Sequence, residues 1–404
     1  MSDREVRPLV PEEFRAARSL FNAAVHWPDP SEEQWARIRP QFERGRVLGA
    51  FEGGATGAEL AGTARSLTSS LTVPGGAVLP AAAVSGVAVR ADCTRRGVLT
   101  ALMHEQLDAV LRAGEPVAVL HASESLIYGR FGYGPATRTR TVSMRSGQAR
   151  VRAEAPAGGR VRLVGEQAQA LLPELYRSIG QHRHGMIARP DEWWGPRLHR
   201  DGRVVVAVHS DERGEDDGFV VYSPKTRDHR FDDGGCTLRV SDLQAATTTA
   251  AVQLWRFLLD VDMVTEVVAA DRPVDEPLEW WLTDRRGSQV TSVQDELWVR
   301  LVNVEESLHA RGYGDAPPVV LDVRDEFLPE NAGLYRIGPE GVARTKQPAQ
   351  LSLDVATLAS LYLGDVAPST LADAGLVGVH EQDVLPTADA LFATGSPPWC
   401  GTIF

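Results

Sequence analysis

Val87-Ala-Val-Arg-Ala-Asp-Cys-Thr-Arg-Arg-Gly-Val-Leu-Thr-Ala-Leu102 passes from an apolar strand through a basic turn straight into a helix. Upstream, Ala83 to Val89 is a run of small residues and valine suited to a buried strand. Downstream, Leu99, Leu102, Met103, Leu107, Val110 and Leu111 recur at helical spacing through Arg112. Pro116 to His121 is a further short buried strand, so the order is that of a βαβ unit in a mixed α/β fold. The turn carries Arg95, Arg96 and Gly97. Free backbone N–H groups at the positive end of a helix dipole suit a pyrophosphate. Gly97 allows close approach and the arginines add charge. A solvated helix start with two surface arginines fits the same residues, and both readings stand at this point.

Working outward, Pro11-Glu-Glu-Phe-Arg-Ala-Ala-Arg-Ser-Leu-Phe21 reads as a helix with its proline in the first turn. Arg46 to Phe51 and Glu59 to Thr72 read as strands around the Gly53-Gly54 turn. After the second buried strand comes His121-Ala-Ser-Glu-Ser-Leu-Ile-Tyr-Gly-Arg-Phe-Gly-Tyr-Gly134. Loops at strand carboxyl ends are where α/β proteins place ligands. Tyr128, protonated at neutral pH, can give a proton to a leaving anion, and it can equally be a packing residue.

Ala153-Glu-Ala-Pro-Ala-Gly-Gly159 is a boundary by composition. Beyond it, strands at Arg160 to Val164, Arg203 to His209, Phe219 to Ser223 and Leu238 to Asp242 alternate with helices at Glu166 to Ser178 and Thr247 to Leu259. This repeats the element order of the first section without its basic turn. From about Asp295 a third section carries a strand at Leu297 to Val302, a helix from Val304 and a small sheet. The chain ends on apolar Trp399-Cys-Gly-Thr-Ile-Phe404.

Among 404 residues, 42 are Lys or Arg and 54 are Asp or Glu, a net charge of −12 that argues against general nucleic-acid binding. With 43% hydrophobic and 24% charged residues the composition is that of globular domains. Cys93, Cys236 and Cys400 lie far apart, which gives no metal-binding spacing and fits a reducing cytoplasm. Met-Ser-Asp-Arg-Glu is followed by no secretory h-region, and the apolar run Ala77 to Val89 is too short for a bilayer. The expectation is a cytoplasmic protein with no membrane partner.

Arg95-Arg96-Gly97-Val98-Leu99 between strand and helix resembles the acetyl-coenzyme A turn of the GCN5-related N-acetyltransferases (GNAT). Ser85-Gly-Val-Ala-Val89, Ala122 to Thr137, Gln294 to Val304, Leu361-Tyr-Leu-Gly364 and the last phenylalanine resemble the enhanced intracellular survival (Eis) branch of that superfamily. The resemblance spans essentially the whole chain. It implies tandem GNAT-like domains followed by a sterol-carrier-protein-like domain: residues 1–152 with the cofactor turn, 160–292 without it, and 295–404. It also implies a homohexamer that transfers acetyl groups from acetyl-CoA to amines, including several on one aminoglycoside.

By the same resemblance Val87, Ala88 and Val89 contact the pantetheine arm. Arg95, Arg96, Gly97, Val98, Leu99 and Thr100 form the phosphate turn, and Ser123 and Glu124 line the far side. Tyr128 is the general acid and the carboxylate of Phe404 the base. The chemistry agrees with these roles: an ammonium must lose a proton before it attacks a thioester, and the thiolate must gain one. The N–H of Val89 is a candidate oxyanion donor. Trp35, Trp194 and Asp295 match acceptor-lining positions, where carboxylates and aromatic faces suit a small polycationic amine.

The chain departs from the superfamily at Thr94, where Gln or Arg is usual, and at Gly86, where an aromatic is common. Two alternatives remain. One is a binding protein for a lipid or hydrophobic molecule with a vestigial transferase turn; the other is an acetyltransferase acting on protein lysine.

Overall fold

The structure is a computed structural model that describes residues 4–54, 57–199, 202–226 and 235–404. It divides into two units: unit 1 comprises residues 1–137, 297–395 and 404, and unit 2 comprises residues 138–296 and 396–403.

In unit 1, strands β1 (Arg4–Pro8), β2 (Arg46–Gly54), β3 (Gly57–Thr72), β4 (Val78–Val89), β5 (Val117–Leu120) and β6 (Gly134–Pro135) share a sheet with a later strand, β14 (Trp298–Leu301). The order is β1-β2-β3-β4-β5-β14-β6. Helices α1 (Phe14–Ala24), α2 (Glu32–Arg44), α3 (Val98–Arg112) and α4 (Ser125–Tyr128) connect them. The apolar stripe expected on α3 is its buried face, with Val98, Leu102, Met103, Leu107 and Val110 in the core. Each such side chain contributes roughly 1.5–3 kcal/mol.

Helix α2 was not expected from the sequence, because Pro40 lies in its body. Its start is fixed by a capping box: Ser31 Oγ accepts from the Gln34 N–H while the Gln34 side chain accepts from the Ser31 N–H.

Unit 2 is built on a sheet of β7 (Arg138–Arg145), β8 (Arg160–Val164), β9 (Val205–Ser210), β10 (Asp216–Thr226), β11 (Cys236–Ala245), β12 (Val264–Pro273) and β13 (Ser288–Asp295), in the order β13-β7-β12-β11-β10-β9-β8. Helices α5 (Ala168–Ile179), α6 (Trp194–Leu198), α7 (Thr248–Leu259) and α8 (Leu278–Trp281) accompany it. Leu254, Trp255 and Leu258 of α7 bury against Val220, Val240 and Val267. The succession β10-β11-α7-β12 has the pairing of β3-β4-α3-β5: one antiparallel pair, then a helix, then a parallel strand.

The rest of unit 1 is α9 (Val304–Ala310), then β15 (Val319–Arg324), β16 (Gly333–Gly338), β17 (Gly341–Arg344), β18 (Leu351–Asp354) and β19 (Gly378–Val379) in the order β17-β16-β15-β18-β19, with α10 (Val355–Tyr362), α11 (Pro368–Asp373) and α12 (Val384–Phe392). The strand read at the head of the third section is β14. It pairs with β5 and β6 in the first sheet and not with the strands that follow it. Val299 and Leu301 have no exposed surface there, as their apolar character requires. The same strand also brings a buried charge: Arg300 donates twice to the Asp325 carboxylate, at 2.9 and 2.7 Å. Asp325 further accepts from the N–H groups of Phe327 and Leu328 and from Asn331.

Removing one member of a fully buried pair strands the other charge. Asp325→Ala is expected to cost about 3–5 kcal/mol, read as a lowered Tm and denaturant midpoint.

Candidate active site

Strands β4 and β5 run parallel but pair only at Ala81↔Val117, Ala82↔Ala118 and Ala83↔Val119. The remainder of β4, including Val87, Ala88 and Val89, lies past the last of these pairs. On its other edge β4 carries a bulge. Thr63 pairs with Ala88 and Arg65 with Ser85, so Gly86 and Val87 face the single residue Ala64. Gly86 takes φ +63°, the left-handed conformation that the first residue of such a bulge needs and that glycine adopts without strain. A bulge sharpens local twist, and here it falls where β4 leaves β5.

Past Val89 the chain makes a short turn at Ala91–Cys93 and reaches Arg95 (φ +59°) and Gly97 (φ +83°) before α3 begins. Gly97 is the N-cap of α3, and no side chain caps it, so the first N–H groups of a fifteen-residue helix face outward unshared with any capping side chain. Arg95, Arg96 and Thr100 are exposed, Val98 is buried and Leu99 is half-buried. Arg96 lies 3.6 Å from Glu52, and Arg90 is held by Asp92 and Glu59. An αL residue followed by free helical N–H groups is an anion cradle. These residues therefore fit a pyrophosphate, with β4 alongside as the backbone edge for an amide-bearing arm.

After β5, Ser123 and Glu124 are exposed and α4 delivers Tyr128, which is 7% exposed and packs edge-on to Tyr133 at 6.0 Å. Burial, and then the charge of Glu124, pushes the Tyr128 phenol up to about 12, so it holds its proton. Phe404 belongs to the same unit. Its ring meets His121 edge-on at 4.9 Å, and Ser85 Oγ donates to its carbonyl oxygen at 3.4 Å. Val87, Tyr128 and Phe404, far apart in sequence, are thus all tied to β4, β5 or the loop after β5.

The proposed acceptor residues divide differently. Trp35 packs on Phe42 at 5.4 Å in the small core under α2. Trp194 is a core residue of unit 2, 1% exposed and enclosed by Tyr176 and Phe219, which leaves its ring little face to offer a ligand. Asp295 ends β13 in unit 2, paired with Arg138. Sequence reasoning missed a cleft of about 870 Å³ in unit 1. It is lined by α1, by His26, Trp27 and Asp29 after it, and by Val89, Arg90, Ala91 and Thr94 beside the turn. Its signals are local: Trp27 is 59% exposed and His26 takes φ +58°. No group of metal-ligating side chains occurs among the described residues.

Family models agree with this architecture: an acetyltransferase (GNAT) domain at residues 5–136, a second acetyltransferase (GNAT) domain at 185–301 and a sterol carrier protein domain at 304–401. N-acetyltransferase Eis of Mycobacterium tuberculosis (strain ATCC 25177 / H37Ra) is 36% identical over 366 residues, 86% of each chain. The chain belongs to the Eis family of N-acetyltransferases. An uncharacterized N-acetyltransferase of Streptomyces avermitilis is 36% identical over 100% of this chain and 99% of its own. The crystal structure of Eis1 from Mycobacterium abscessus superposes with a TM-score of 0.88 at 38% identity, covering 99% of this chain and 100% of the other. The protein is accordingly an acetyltransferase of the GNAT type, a fold that uses acetyl-CoA.

Gly97→Ala places a Cβ in the left-handed region and is expected to cost roughly 1–2 kcal/mol there. Calorimetry should show a raised Kd for acetyl-CoA, with turnover at saturating acetyl-CoA largely kept.

Proposed function

We propose that this enzyme acetylates amine groups of a small polycationic acceptor, aminoglycosides included, by direct attack on acetyl-CoA. The observation that carries the reading is that the protonated phenol of Tyr128 packs in the core that β4 and β5 share, while Phe404 touches Ser85 of β4 and His121 just after β5. The resemblance-derived boundaries belong to the proposal: residues 1–152 perform the transfer, 160–292 form the second acetyltransferase domain without its turn, and 295–404 the sterol-carrier-like domain.

Acetyl-CoA supplies an activated acetyl thioester. The first N–H groups of α3, with Arg95 and Arg96, would hold its pyrophosphate. Val87, Ala88 and Val89 would hold the arm, with Ser123 and Glu124 opposite. In this scheme a carboxylate at Phe404 takes a proton from the acceptor ammonium, leaving a lone pair free to attack. The Val89 N–H is the donor available to a developing oxyanion. Tyr128 gives its proton to the departing thiolate. Its raised phenol pKa keeps that proton in place at neutral pH, and it also makes the phenol a weaker acid than the thiol that forms, whose pKa is about 8.5.

Cys93 is no rival nucleophile in this scheme. It is 2% exposed, and burial pushes its thiol up, away from the reactive thiolate. The acceptor cleft offers Asp29 as an ion-pairing group and Trp27 as a cation–π face, which supports a cationic amine. Assembly as a homohexamer and a cytoplasmic location, where free thiols at Cys93, Cys236 and Cys400 persist, complete the reading.

Tyr128→Phe should lower kcat about 10²–10⁴-fold while the KM for acetyl-CoA holds. An added carboxyl-terminal tag beyond Phe404 should abolish turnover without unfolding the protein, and normal turnover of the tagged enzyme would sink the base assignment. Cys93→Ala should keep full activity. With the phenol at about 12, the wild-type rate should show no alkaline fall centred near 10, where an unperturbed tyrosine titrates. A thiol-release assay across aminoglycosides, polyamines and lysine peptides identifies the acceptor class; turnover of lysine peptides alone would overturn the polycation reading.

A further inference from the structure

In unit 2, the parallel strands β11 and β12 pair from Cys236↔Val264 to Val240↔Ala269 and then separate, as β4 and β5 do. The bulge recurs as well: Val221 pairs with Asp242 and Tyr222 with Val240, so Ser241 is the extra residue. The opening so made is lined by Ser241 to Gln244 on one strand, Ala270 to Arg272 on the other, and Trp399, Gly401 and Ile403. We propose that this cleft, the counterpart of the cofactor wedge in unit 1, is a peptide site whose ligand is the chain's own segment 399–403.

The contacts are those of a built site. The indole N–H of Trp399 donates to the Asp271 carbonyl at 2.9 Å, and Asp271 takes φ +56°, a left-handed conformation that turns the backbone at this point of β12. The Glu296 carboxylate accepts the N–H groups of Cys400 at 3.1 Å and Gly401 at 2.7 Å. The Gly401 carbonyl accepts from Arg189 at 2.8 Å and Gln244 at 3.2 Å. Arg189 also donates to Thr402 Oγ1 at 2.9 Å, and Arg197 to the Ile403 carbonyl at 2.5 Å. Asp242 anchors both arginines, accepting twice from Arg189 and lying 3.6 Å from Arg197. Trp399, Cys400 and Thr402 are buried.

Backbone groups of the tail, which turns at Gly401 (φ +62°), are thus read by fixed side chains, which is recognition of a peptide and not of a pantetheine arm. Thr247 is the N-cap of α7 and its hydroxyl accepts the Ala250 N–H, so this helix start is capped where that of α3 is not. Arg189, Arg197, Gln244 and Glu296 are positioning residues for the tail.

Hydrogen exchange on the full-length protein, read on the peptic fragment covering residues 396–404, tests this. The wild-type amides of Cys400 and Gly401 should exchange at least ~100-fold more slowly than in the same synthetic peptide free in solution. Glu296→Gln and Arg197→Met should each speed that exchange at least ~10-fold, with β10 and β11 amides unchanged as the control for folding. Calorimetry should give one acetyl-CoA per chain. Free-peptide exchange in the wild type, protection untouched by both substitutions, or a second acetyl-CoA bound per chain would each overturn the proposal. Because exchange is read without turnover, a failure of the catalytic reading leaves this result standing, and the converse holds.

Discussion

Two parallel strands cannot separate within a sheet without uncovering backbone N–H and C=O groups, and each uncovered group must find another partner. Both large sheets of this protein contain such a separation, between β4 and β5 and between β11 and β12. In each, a bulge on the first of the two strands bends it away from the second. What the opened edge is given to bind then sets what each sheet does. In unit 1 the wedge ends in a glycine-bearing basic turn and an uncapped helix, the arrangement of an acyl-CoA site. In unit 2 it ends in a capped helix and holds a segment of the chain itself.

The proposed chemistry of the first wedge needs one proton available and one carboxylate ionised. Tyr128 keeps its proton because it is buried and because Glu124 adds negative charge nearby; both effects disfavour the phenolate. Ser85 and His121 engage Phe404 through its backbone carbonyl and its ring.

The local pattern was legible where one physical rule dominated. The α3 stripe, the β4 run and the Gly97 turn follow from burial period and glycine's access to positive φ, and the structure has each of them. Reading failed where tertiary context outweighed local composition. Pro40 concealed α2, whose capping box was the better signal. β13 is exposed along nearly its whole length, so no apolar alternation marked it. Trp194, matched by resemblance to an acceptor-lining position, is enclosed by Tyr176 and Phe219, and what packs around a ring is not written in its neighbours along the chain. The cleft at His26, Trp27 and Asp29 is made by a helix end meeting the end of β4, and spacing along the chain carries no trace of that meeting.

The sequence by itself determined the segments: an apolar strand, a basic turn closed by glycine, a helix, a tyrosine loop and an apolar end. These are short-range properties, set by side-chain period, turn chemistry and charge. Only the tertiary structure decided which strands share a sheet. It inserted Trp298 to Leu301 between β5 and β6, parted the parallel pairs, and filled the second parting with Trp399 to Ile403. Those are choices among partners that are not neighbours along the chain. They are settled by which arrangement leaves the fewest buried polar groups unpaired, and no local pattern records that sum.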